Sequence, residues 1–142
     1  MVKVLTSKTI SDELAVELLS AAVDRATELG GMFAIAIVDP SGVLKAFRRL
    51  DACPLVGVQV AQDKAYTAVL KGIPTEEWYE GIKDVPSHLY GVPAAIDRVT
   101  IFGGGAPLHV DGDLIGGIGV SGGTYLEDMD VAEAAIQAVL GG

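Results

Sequence analysis

The first periodic stretch of the chain is TISDELAVELLSAAVDRATELGG, where Leu14, Leu18 and Ala22, and beside them Ala15, Leu19 and Ala26, return at spacings of three and four. That period lays an apolar stripe along one helix. Asp12 and Glu13 fall in its first turn, and Gly30-Gly31 supplies a left-handed stop. The period then changes: MFAIAIV (32–38) is β-branched and aromatic, DPSG (39–42) suits a type I turn, and VLKAFRR alternates, which predicts a hairpin. Helical spacing returns between Pro54 and Lys71 through Val58, Ala61, Ala65, Ala68 and Val69. After the break GIP, TEEWYEGI predicts a short helix capped by Thr75, with Glu76 and Glu77 in its first turn. DVPSHLYGVPAAID (84–97) has two prolines and a glycine and reads as an ordered loop. RVTIF is expected to be a strand, PLHV and LIGGIGV a second hairpin about Asp111-Gly112, and DMDVAEAAIQAVL a closing helix with Asp128 as its cap.

The order α-β-β-α-(α)-β-β-β-α predicts one α+β domain over 1–142, a five-strand antiparallel sheet flanked by helices. Hairpins in place of crossovers argue against a doubly wound nucleotide-binding sheet. GGGAP leads into a strand and lacks the G-x-x-x-x-G-K-[ST] spacing of a phosphate loop.

Composition narrows the function. Half of the 142 residues are apolar, and the mean hydropathy is +0.43. The longest apolar run, Met32 to Val38, is far short of the roughly 20 residues that span a bilayer. The expected outlet for the excess is a subunit interface or a ligand pocket. A net charge of −9 argues against nucleic acid and against an anionic membrane surface. A single cysteine, Cys53, calls for no oxidising compartment, and Asp12, Glu13 and Glu17 stand where a secretory leader needs an apolar core, so the expected location is cytoplasmic.

Four segments, VDPSGVLKAFRRLD (38–51), AQDKAYTAVLKGIPTEEW (61–78), FGGGAPLHVDGDLIGGIGVSGG (102–123) and DMDVAEAAI (128–136), occur in an order that resembles the GlcG/HbpS family, which includes the C-terminal domain of PduO proteins. The resemblance implies a profilin-like fold and a homo-oligomer, often an octamer. It also implies haem as a possible cofactor, with a sensing, storage or degradative role. Two other readings stand beside it: a cofactor-independent isomerase, dehydratase or lyase acting on a small carboxylate or oxygenated metabolite, and an interaction subunit without ligand.

The candidate chemistry is sparse. Arg48, Asp51 and Lys64 match the family's recurring motif; Arg48 could clamp a carboxylate while Lys64 or Asp51 moves a proton. A lysine in a mostly apolar helix fits equally well a structural ion pair with Asp51 or Asp63. His88, Tyr90 and His109 are candidate iron ligands, His109 also reading as a surface or interface residue. Glu77 and Glu80 form an E-x-x-E pair with Glu76 adjacent, a surface iron site by resemblance or simply a solvated acidic face. Cys53 precedes a helix and reads as either a stabilised thiolate or a small buried hydrophobe. Trp78 and Tyr79 either line a pocket or anchor the short helix. Nine of the 22 residues from 102 to 123 are glycine. Gly103, Gly104, Gly105 and Ser121, Gly122, Gly123 could turn backbone N–H groups toward an anion, whereas Gly116, Gly117 and Gly119 read as tight packing.

Overall fold

The computed structural model describes residues 1–141. Helix α1 (Asp12–Glu28) is followed by strands β1 (Ala34–Val38) and β2 (Leu44–Arg49), then helices α2 (Val56–Lys71), α3 (Thr75–Ile82) and α4 (Pro86–Ala95). Strands β3 (Gly105–Val110) and β4 (Asp113–Ser121) and helix α5 (Tyr125–Val139) complete the chain. The sheet is antiparallel, ordered β2-β1-β4-β3.

Local chemistry explains most boundaries. Ser11 caps α1 by accepting the Leu14 amide, and Gly30 and Gly31, both at positive φ, end it. In the β1–β2 turn the Asp39 carboxylate accepts the amides of Ser41 and Val43. Between β3 and β4, Asp111 and Gly112 both take positive φ, as a two-residue hairpin loop requires.

Register divides the core into two layers. Ile35, Ile37, Ile118 and Val120 face α1 and α5, while Ala34, Ala36 and Val38 face Ala61, Ala65 and Val69 of α2. All five residues of β1 are buried because helices cover both sides of it. On the first side, Arg25 of α1 donates from Nε and Nη2 to the two carboxylate oxygens of Asp130 in α5, at 2.9 and 2.8 Å.

Four expectations are corrected. Thr75 does not cap α3: Pro74 stands at the N-cap, and the Thr75 hydroxyl donates to the Phe102 carbonyl at 2.8 Å. The sheet has four strands, not five: RVTIF (98–102) is not a strand. Arg98 is left-handed at φ 65, and the Thr100 amide donates to the Thr67 hydroxyl at 2.8 Å. The segment is thereby fastened to α2 instead of to a neighbouring strand. The 84–97 segment contains α4, since Pro86 stands in the first turn, where no helical N–H is needed. The cap of α5 is Thr124, not Asp128: the Thr124 hydroxyl accepts the Glu127 amide and the Glu127 carboxylate accepts the Thr124 amide.

Among the described residues, no helix is long and apolar enough to cross a membrane.

Candidate functional site

Freed from capping, Asp128 falls one turn before Val131 and Ala132 on the buried face of α5. Lys64 sits among Ala61, Ala65 and Ala68 on the buried face of α2. The two helices lie on opposite sides of the sheet, and the two side chains meet at its end. Lys64 Nζ donates to Asp128 Oδ2 at 2.7 Å and to the Val120 carbonyl at 2.9 Å. The Phe102 ring lies 4.7 Å from the same ammonium. Lys64 is 0% and Asp128 2% exposed.

Electrostatically the pair is balanced against its own burial. Desolvation holds the Lys64 ammonium below the ordinary lysine value, with Asp128 opposing that shift. Desolvation lifts the Asp128 carboxyl above the ordinary aspartate value, opposed by Lys64 and by the Gly123 amide. In each group burial sets the direction of the shift and the partner opposes it.

The glycines around the pair have assigned neighbours. A Cβ on Gly104, at φ +129, would stand 2.5 Å from the Val120 carbonyl oxygen and 2.8 Å from Lys64 Nζ, so this position is left bare where β4 and the ammonium approach it. The Gly103 amide donates to Glu76, the Gly105 amide to the Thr75 hydroxyl, and the Gly123 amide to Asp128 Oδ1. Thus the carboxylate on the Gly123 amide is the protein's own. Gly117 and Gly119 serve packing, since a Cβ there would meet the carbonyl oxygens of Ala65 and Ala61 in α2.

The other candidates are dispersed. Lys64 pairs with neither Asp51 nor Asp63, because Asp63 holds Arg98 and Gln59 and Asp51 is exposed in the turn after β2. Arg48 lies opposite Ile35 and therefore on the α1/α5 side of the sheet, whereas Lys64 rises from α2 on the other. Arg49, opposite Ala34, is the arginine on the α2 side. His88 and Tyr90 are exposed on α4, and His109 is exposed on β3. Glu77 and Glu80 are exposed on α3, Glu80 paired with Lys83. Among the described residues no three His, Cys, Asp or Glu side chains converge to hold a metal. Cys53 is buried, its thiol donates to the Pro54 carbonyl, and burial pushes its ionisation up against the opposing influence of Arg49. Those are the properties of a small packed hydrophobe. Trp78 is buried and anchors α3, while Tyr79 joins Glu76, Glu80, Phe102 and Tyr125 around a groove of about 270 Å³.

Asp128, Thr75 and Phe102 are the members of this site that sequence reasoning missed. For Asp128 a signal was present: T-x-x-E at 124–127 is a capping box. Shifting the cap to Thr124 leaves Asp128 in line with the apolar stripe of Val131, Ala132 and Ala135, and a carboxylate on a buried face needs a cation.

The arrangement has relatives. The family model described as haem degrading protein HbpS-like matches residues 10–137. The corrinoid adenosyltransferase PduO of Salmonella typhimurium strain LT2 is 39% identical over 124 residues, covering 87% of this chain and 37% of PduO. This chain thus spans little more than a third of that relative's length. The crystal structure of protein ORFY of Klebsiella pneumoniae superposes with a TM-score of 0.91 at 29% identity, over 99% of this chain and 97% of ORFY. A PduOC:haem complex superposes with a TM-score of 0.86 at 37% identity, over 92% of this chain and 95% of PduOC. With the family model matching nearly the whole domain and these folds coinciding, the chain belongs to the HbpS-like haem degrading protein family.

Proposed function

We propose that the protein binds haem, in a sensing, storage or degradative role, and that α4 supplies the iron ligand. The observation that carries this reading is the surface of α4. Its sequence PSHLYGVPAA is largely apolar, yet none of its residues is buried. On it His88 and Tyr90 stand exposed. An imidazole on an apolar, solvent-facing helix matches what a porphyrin needs: a nitrogen ligand for iron and apolar surface for the macrocycle. The PduOC:haem complex, at 37% identity, supports the same chemistry for this chain.

The exposed apolar residues also support a homo-oligomer, and we take the octamer as its form. Val4, Leu5, Leu55, Val56 and Leu126 are all more than half exposed, in addition to α4. The enzymatic alternative needs Arg48 and Lys64 at one carboxylate, and their positions on opposite sides of the sheet lend it no support.

Titration of haemin into the purified protein is expected to give a saturable Soret shift, lost in His88→Ala. Tyr90→Phe distinguishes the second candidate ligand. A non-saturable spectrum, or one unchanged in a His88→Ala/Tyr90→Phe double variant, removes the haem assignment to α4. Light scattering on the ligand-free protein is expected to give a mass several times that of one chain; a monomer mass at micromolar concentration would exclude the octamer.

A further inference from the structure

A second groove, of about 440 Å³, opens between the β1–β2 turn and α2, on residues shared with neither α4 nor the Phe102 groove. Polar side chains of Gln59, Gln62, Tyr66 and Arg98 line it together with the apolar, exposed side chains of Val43 and Leu44.

Arg98 is held in this groove by contacts to backbone, carboxylate and ring. Its backbone is left-handed, at φ 65, which costs a non-glycine residue about 1–2 kcal/mol. Thr67, fully buried, anchors the segment through the Thr100 amide. Arg98 Nε donates to Asp63 Oδ1 at 3.0 Å, and Asp63 is itself fixed by Gln59 Nε2 at 2.9 Å. The guanidinium lies 4.3 Å from the centre of the Tyr66 ring. That ring is backed by Gly42, where a Cβ would come within 2.5 Å of it, so it is braced from the turn side. With Nε engaged, Nη1 and Nη2 make no hydrogen bond among the described residues. A planar end-on fork is therefore presented to the groove, its conformational freedom already spent.

We propose that this groove binds a short-chain carboxylate, its two oxygens on the Nη1/Nη2 fork of Arg98 and its alkyl tail against Val43 and Leu44. The fork fits two coplanar oxygens, and Val43 and Leu44 offer contact for only a short apolar tail. The chain carries 19 acidic residues against ten basic ones, and Asp63 engages only Nε of Arg98, so the Nη1/Nη2 edge is the part of this guanidinium left to meet an anion.

The test is a titration of isotopically labelled protein with sodium butyrate, sodium phosphate and sodium chloride at matched ionic strength, following the Arg98 Nε–H and Tyr66 ring signals. Butyrate is expected to shift both saturably. Arg98→Lys, which removes the planar fork but keeps the charge, should weaken butyrate by at least about 10-fold at an unchanged melting temperature. Val43→Asp, at a position 60% exposed, keeps the fold and should weaken butyrate by repulsion, and Arg48→Lys should leave it unchanged. Wild-type affinity in either Arg98→Lys or Val43→Asp, or shifts reproduced by chloride, would overturn the site. Tighter binding of phosphate than of butyrate would overturn its carboxylate assignment.

Discussion

Asp128→Ala is expected to destabilise the protein by about 3–5 kcal/mol, the range for removing one member of a buried ion pair. Lys64, 0% exposed, would keep the Val120 carbonyl and the face of Phe102 but lose its only carboxylate. Part of the loss is recoverable by shedding the proton. Burial already holds the Lys64 ionisation below its ordinary value, and Asp128 is what opposes that shift. Without Asp128 the folded-state value drops further below the unfolded one. The penalty is then complete below the folded value and fades as pH rises through it, so the deficit against wild type should narrow on the alkaline side. Urea melts at a series of pH values give the test. In the double variant Lys64→Met/Asp128→Leu both charges are gone, and most of the lost stability should return. A double variant no more stable than Asp128→Ala would show that the pair is not what these positions contribute.

Gly119→Ala should be nearly as damaging, for a steric reason. A Cβ at this position would stand 2.0 Å from the Ala61 carbonyl oxygen and 2.5 Å from the Ala65 nitrogen. Both are backbone atoms of α2, so no rotamer change can make room. The helix would have to lift off the sheet and open the layer of Ala34, Ala36, Ala61 and Ala65. About 3 kcal/mol or more is expected, the upper end for an overfilled core. Gly81 in α3 is the natural control, with nothing within 4 Å of its Cβ position and an ordinary φ. Gly81→Ala should be neutral or stabilising by up to about 1 kcal/mol. If thermal melts show the two alanine variants to be alike, the close approach of α2 to β4 is not the reason for the glycine.

Much of this was legible in the sequence because the determinants are local. The stripe through Leu14, Leu18 and Ala22, the DPSG turn and the Asp111-Gly112 loop each specify conformation within a few residues. The misreadings occurred where local and distant chemistry compete. Pro86 and Pro93 signal a break, yet Pro86 stands in the first turn of a helix. Val99, Thr100 and Ile101 have strand propensity, yet a hydroxyl on α2, more than thirty residues away in sequence, takes the Thr100 amide. The Lys64–Asp128 pair was half visible, since each charge interrupts an apolar stripe. Which acid answers which base depends on how two helices pass the end of a sheet, and no spacing encodes that. Within the glycine-rich run Gly117 and Gly119 give α2 its close approach, whereas the Gly123 amide, expected to meet a ligand anion, donates to the protein's own Asp128.

The placement of that pair also bears on how the molecule comes apart. The two core layers share only the thin sheet between them, and a domain of this design could lose α2 while α1 and α5 stayed folded on the other side. A lysine rooted in one layer and an aspartate rooted in the other remove that option. Lifting either helix strands a charge in the layer that remains. Partial opening thereby carries the added cost of a buried, unpaired charge, which couples the two layers.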